Sequence, residues 1–356
     1  MSEDTKLHEL LQELLRRGGS DLLLVHGVAA SIRTNGEVEK IGDTPLDGSE
    51  IEAMVEAILT PIGAAQYRAT QIADCSYRIS EVGRFRINLH RERGRAAATI
   101  RALPMKVPLL AELGLPVEVG NLAVLRRGLV LIGGAAGAGK STTLAALVHE
   151  INKRDARHIV TIEDPVEYEH KHLRSVIEQV EVGTDAPDFP TALRAALRQA
   201  PDVLVVGEMR DPESMAIAVS AAETGHLVLS TLHTTDVASA VSRISDSFPV
   251  ERQSTIRQEL AMAISAVLTQ TLLPSRKGGR IPAVELLMVG YGARQHIRHN
   301  ALQHLNQEIT MTKAKGSIAL EESLARLVKD GHLDREEAME FAMHPDDLKS
   351  RLRGLA

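Results

Sequence analysis

The chain has almost no aromatic side chains. Of its 356 residues none is Trp, four are Phe and four are Tyr, which argues against a surface built to stack nucleobases. Cysteine is nearly absent too. Cys75 stands alone, which excludes an internal disulfide framework and a multi-cysteine zinc site, and the reducing cytosol is the expected compartment. There is no surplus of positive charge: 41 Lys and Arg face 47 Asp and Glu, for a net charge of -6. A general electrostatic grip on nucleic acid or anionic lipid is therefore not expected, and only a local basic patch remains open. No uncharged apolar run approaches the roughly 18 residues that a membrane helix needs. The opening MSEDTKLHELLQELLRRGG lacks the basic start and apolar core of a secretory signal. Membrane association is expected only through a partner.

What is present suits a globular protein. Hydrophobic residues make up 44% and charged residues 25%, and the length allows two domains with their own cores. Leu7, Leu10, Leu11, Leu14 and Leu15 fall on one helical face that Gly18-Gly19 ends. LLLV (22–25) and SIRTNGEVEKI (31–41) read as strands, with Asn35-Gly36 a hairpin turn. A helical stretch near 49–71 precedes three strands, CSYRIS, RFRINLHRER and AAATIRALP. Residues 1–104 thus read as a small α+β domain, and 105–116, between prolines, as a linker.

From 117 to 356 the pattern changes. Apolar strands (GLVLIG, HIVTIE, VLVVGE, HLVLSTL) alternate with helical segments at 141–153, 190–199, 212–223 and 236–247. Such alternation implies an α/β domain with a mostly parallel, doubly wound sheet and ligands at the strands' carboxyl ends. Beyond about 251 the chain reads as mostly helical, apart from IPAVELLMV (281–289).

At the first of these strand ends stands LIGGAAGAGKSTT, residues 131–143. Small residues let the backbone curl so that its N–H groups converge at the positive end of a helix, where a phosphate fits. Gly134, four intervening residues, then Gly139, Lys140 and Ser141 match the P-loop pattern, in which the lysine reaches the β/γ-phosphates and the hydroxyl holds Mg²⁺. Gly134, Gly137, Ala138, Gly139, Lys140, Ser141 and Thr142 are accordingly the candidate nucleotide-phosphate-binding residues.

Three further strand ends carry polar groups: Glu163 and Asp164; Glu208, Arg210 and Asp211; Thr231, His233 and Thr234. Singly, Asp164-Pro165 is a turn opener, Asp211-Pro212 an N-cap with proline at N1, and His233 a satisfied imidazole. Recurring together behind a P-loop, they point to a hydrolytic site. Phosphoryl transfer to water needs the phosphate charge neutralised and a carboxylate to orient the water. Glu208 suits the role of holding Mg²⁺ or its waters, and Glu163 is the second candidate base. His233 is placed to sense the γ-phosphate.

In order and spacing, GAAGAGKST, TIEDPVEY, VLVVGEMRDPES and TGHLVLSTLHTT resemble the Walker A, Asp box, Walker B and His box of secretion-superfamily ATPases. Within these the chain looks most like the PilT-type retraction ATPases of type IV pili, over nearly its whole length. The resemblance implies a PAS-like first domain and a RecA-like second one. It also implies a homo-hexamer with ATP between domains, acting at the cytoplasmic face of the inner membrane on a platform protein, with a companion retraction ATPase as a further partner. Arg84, Arg86, Asn88 and His90 alternate onto one strand face, as a solvated sheet face does. The resemblance instead nominates Arg84 and Arg101 as phosphate-reaching arginines, with Arg86 and Arg93 in reserve.

Two departures stand out. GARQHIRHN (292–300) replaces the usual AIRNLIRE, keeping Arg294 and Arg298 but losing the acidic end, which fits an accessory paralogue as well as a main motor. AAGAG replaces the common PTGSG, a change that a loop working through backbone amides tolerates. A nucleic-acid translocase is disfavoured by the acidic charge and scarce aromatics. The four-cysteine zinc element of related branches is missing.

Overall fold

The computed structural model describes residues 3–353. The described residues divide into two compact units, the first formed by 3–106 with 163–169 and 180–192, the second by the other described residues.

The first unit begins with α1 (Glu3–Arg16), followed by β1 (Asp21–Leu24), β2 (Ala29–Thr34), β3 (Glu37–Pro45), α2 (Gly48–Glu56), α3 (Pro61–Thr70), β4 (Ala73–Ile79), β5 (Gly83–Glu92) and β6 (Arg95–Leu103). The single helical stretch expected near 49–71 is two helices, because Pro61 opens a new one behind the Thr60 N-cap. The strands form one sheet in the order β3-β2-β1-β6-β5-β4, every observed pairing antiparallel. Leu7, Leu11 and Leu14 of α1 pack with Ile51 and Met54 of α2 and with Phe85, Ile87 and Leu89 of β5, all fully buried. The alternation read in β5 is therefore real: its odd positions face this core, and its even positions carry Arg84, Arg86, Asn88 and His90 on the other face.

The second unit contains α4 (Asn121–Val124), β7 (Gly128–Gly133), α5 (Lys140–Arg154), β8 (His158–Glu163), β9 (Val176–Glu181), α6 (Phe189–Ala196), β10 (Val203–Val206), α7 (Pro212–Glu223), β11 (Leu227–Leu232), α8 (Val237–Asp246), α9 (Val250–Ala263), β12 (Ile264–Pro274), β13 (Arg280–Met288), α10 (Tyr291–Arg298), α11 (Leu305–Met311), α12 (Leu320–Lys329), α13 (Arg335–Phe341) and α14 (Pro345–Arg353); α6 and the carboxyl ends of β8 and β9 fall partly or wholly in segments grouped with the first unit. The sheet order is β13-β12-β7-β11-β10-β8-β9. β12, β7, β11, β10 and β8 run parallel, and β13 returns antiparallel at the edge. Two strands differ from expectation. ISAVLTQTLLP (264–274), read as helical, is β12; it is buried on both faces along most of its length, so it shows no strict apolar-polar alternation to separate strand from helix. VIEQVE (176–181) forms β9, whose mixed polar pattern gave no signal. Val130, Ile132, Leu147, Ile151, Val205, Leu229 and Leu268 anchor the core between sheet and helices.

Candidate nucleotide site

β7 is buried at every position and ends at Gly133, where the chain turns into a loop that reaches α5 at Lys140. The turn demands glycine at 134: φ is 152°, and a Cβ there would stand 2.6 Å from the Gln270 carbonyl oxygen and 2.9 Å from Ala138 Cβ. Lys140 opens α5 and is buried. Its ammonium donates to the carbonyls of Gly134 at 2.8 Å and Ala135 at 3.0 Å, so the lysine lies back across its own loop. Ser141 and Thr142 follow in the first helical turn.

The sheet order then places the remaining groups. β11 lies between the P-loop strand β7 and β10, so His233, one residue past β11, falls between Lys140 and Glu208, two residues past β10. His233 Nδ1 is 3.4 Å from Lys140 Nζ and His233 Nε2 is 3.2 Å from a Glu208 carboxylate oxygen. An ammonium only donates and an ionised carboxylate only accepts, so a neutral imidazole protonated on Nε2 satisfies both neighbours. Glu208 also pairs with Arg210 Nη2 at 2.9 Å. Asp211 is an N-cap, as one reading of it held, accepting from the Ser214 N–H at 2.8 Å, and Asp236 caps α8 through Ser239 in the same way. The Thr231 hydroxyl donates to the Gly207 carbonyl at 2.6 Å, tying the His-box strand to the residue before Glu208.

Beside the loop lies a cavity of about 340 Å³, lined by Leu113, Leu115, Leu272 and Pro282 with Glu112, Arg280, Gly139 and Thr142. Thr143 and Gln270 complete a lining that mixes apolar walls with polar groups, the character of a small-ligand site. Among the described residues no group of three or more His, Cys, Asp or Glu is arranged to hold a metal. Mg²⁺ delivered with a nucleotide keeps waters and phosphate oxygens and asks the protein for only one or two hard oxygen ligands. Ser141 and Glu208 offer that kind of donor.

The arginines nominated in the first domain have partners within the first unit. Arg84 is buried, and its guanidinium donates to the Val166 carbonyl at 2.9 Å and pairs with Glu169 at 2.9 Å. Arg101 pairs with the buried Asp21 at 2.8 Å. Arg86 faces Arg101 across the β5-β6 ladder and lies 3.7 Å from Asp74. Arg93 is at the tip of the β5-β6 hairpin, bound to Glu92 at 3.0 Å. Glu163 ends β8, its carbonyl accepting from the Val182 N–H at 2.9 Å.

Sequence reading missed two groups. Gln270 was hidden in the strand misread as helix. Glu181, buried in the first unit, accepts from the Val166 N–H and the Ser76 and Thr184 hydroxyls, and it sits in the unrecognised β9.

A parallel sheet with a phosphate-binding loop after one strand, and an acid and a histidine after the next two across, defines a P-loop ATPase with a RecA-like core. Comparison with known proteins narrows this further. The profile of the Type II/IV secretion system protein family matches residues 109–346. The chain is 37% identical to the type IV pilus retraction ATPase PilT of Pseudomonas aeruginosa, over 95% of this chain and 98% of that one. It is 34% identical to the type IV pilus ATPase PilU of the same organism, over 98% and 91%. A crystal structure of the pilus retraction motor PilT with bound ADP superposes with a TM-score of 0.86 at 37% identity, covering 96% of this chain and 98% of that one. This chain belongs to the Type II/IV secretion system protein family, among its PilT-type retraction ATPases.

Proposed function

We propose that this chain is the motor of type IV pilus retraction, hydrolysing ATP at the loop 134–142 to drive twitching motility. The Lys140–His233–Glu208 series is the observation that carries the site. A γ-phosphate seated on the loop amides draws Lys140 from its carbonyl partners, which frees His233 to register that phosphate and Glu208 to orient water. Ser141 and Glu208 are the residues that would hold Mg²⁺, whose charge offsets that of the phosphates. The nucleoside enters the cavity bordered by Leu272 and Arg280. Glu163 is the second candidate base. Arg84 and Arg101 are the candidates for reaching the phosphates, and each must then exchange Glu169 or Asp21 for phosphate oxygens.

In this reading the working form is a homo-hexamer of chains with domains 1–104 and 117–356 on a 105–116 linker. ATP binding closes the domains and hydrolysis releases them. The hexamer sits in the cytoplasm against an inner-membrane platform protein. No described helix is long and apolar enough to cross a membrane, which supports attachment through that partner. The deciding experiment is twitching in a strain whose other retraction motors are deleted: the parental chain restores it and Lys140→Ala does not.

A second reading has one observation behind it. GARQHIRHN lacks the acidic end of AIRNLIRE, which favours an accessory paralogue acting beside a companion ATPase. In that case turnover is strong only in the companion's presence, and the solitary chain fails to restore twitching.

A further inference from the structure

We propose that Gln270 is a positioning residue that sets the orientation of the phosphate-binding loop, holding the peptide between Ala138 and Gly139 so that its N–H faces the nucleotide. The inference rests on the nucleotide site proposed above and adds a residue outside all four of its motifs.

Gln270 is buried in β12, 130 residues from the loop, and meets it at three places. Its backbone carbonyl backs Gly134, where no Cβ fits. Its side-chain Nε2 donates to the Ala138 carbonyl at 2.6 Å. Its Oε1 accepts from the Thr143 hydroxyl in α5 at 2.9 Å.

The physical consequence lies in the peptide plane. A trans peptide points its C=O and the following N–H in opposite directions. Fixing the Ala138 oxygen toward β12 therefore aims the Gly139 N–H the other way, into the anion cradle. A glycine-rich loop has the freedom to flip that peptide, and a flipped peptide would present an oxygen to a phosphate. The position requires a donor and an acceptor on one short side chain, which an amide supplies and a carboxylate does not. Buried polar groups tied on both sides in this way fix one loop conformation before the ligand arrives.

The test compares purified full-length parent with Gln270→Glu, Gln270→Met, Thr143→Val and Thr143→Ser, using MgATP turnover and thermal melting without nucleotide. Gln270→Glu removes the donor, and Gln270→Met removes both bonds at similar volume without adding charge. Both are expected to raise KM for ATP about tenfold, with kcat within about threefold and melting within a few degrees of the parent. Thr143→Val is expected to raise KM about threefold and Thr143→Ser to restore it. Parental KM in both Gln270 variants, or a fall confined to kcat, would overturn the assignment. If the Gln270 variants do not fold, the Thr143 pair decides, and equal impairment of Val and Ser overturns it. Turnover by the parent tests the nucleotide site, whereas only the variant-to-parent ratio tests Gln270.

Discussion

Glu208 and His233 lie 3.2 Å apart, although they follow different strands and share no local motif. Their contact makes the acid proposed to hold Mg²⁺ and the histidine proposed to sense phosphate one unit. His233→Ala leaves Lys140 and Glu208 without their shared partner. We expect ATP binding to persist and turnover to fall about 10- to 100-fold. Glu208→Gln keeps the shape but loses the charge, and should hold ATP with turnover reduced at least about 100-fold. Isothermal titration beside steady-state phosphate release separates the two steps. Parental turnover in either variant would remove its residue from the site.

Arg84 anchors the segment 166–169 through three partners, the Val166 and Glu167 carbonyls and the Glu169 carboxylate. Lysine cannot reproduce a planar fork, so Arg84→Lys should lose nearly as much turnover as Arg84→Ala. If Arg84 serves structure alone, melting falls by several degrees while turnover per folded molecule stays parental. A role toward phosphate predicts the reverse, and paired melting and turnover data distinguish them.

Burial pushes the Glu285 carboxyl up to about 7, with Asp236 and Glu321 adding to the rise, while the Val237 N–H and His344 oppose it. Its carboxylate accepts from the Val237 N–H at 3.0 Å, at the start of α8. Below pH 4.5 the group is protonated both folded and unfolded and costs nothing. As pH rises from 4.5 to about 7 the unfolded chain ionises while the folded state keeps its proton, so stability is lost across that window and levels off above it, where the folded state carries the buried charge. Glu285→Gln retains an acceptor for Val237 and removes that charge. The unfolding free energy of the variant, from urea denaturation, should exceed that of the parent by about 3 kcal/mol at pH 8 and converge with it near pH 4. A pH-independent difference would refute the buried-charge explanation.

The segment GARQHIRHN is matched to Glu308 of α11. A Cβ on Gly292 would stand 2.7 Å from Glu308 Cδ, and Glu308 lies 3.6 Å from His296 Nε2. Gly292→Ala should therefore displace the Glu308 carboxylate and break its pair with His296, at a net cost within about 1 kcal/mol of zero, because that carboxylate is the end of a flexible side chain and Ala favours the helix. His296→Leu should add little once Gly292→Ala is present, because the pair is already broken. A double-mutant cycle read by urea denaturation checks this, and strict additivity would show that the two positions are independent.

Local chemistry was legible without coordinates. The P-loop, the polar strand ends at 163, 208 and 233, the hairpin at Asn35-Gly36 and the two faces of β5 follow from residue type and spacing. They depend on torsional freedom, capping and alternation, which act over a few neighbours. β12 was not legible, since an apolar strand buried on both sides has the composition of a buried helix. Gln270 went unseen with it.

Sequence alone thus determined which residues of this ATPase are candidates for binding phosphate and orienting water. Tertiary structure decided which of them meet. Strand order is set by which apolar faces bury one another across distant segments, and it put β11 between β7 and β10, so that His233 bridges Lys140 and Glu208. The same long-range packing set Gln270 behind the loop, a relationship that no periodicity within 130 intervening residues encodes.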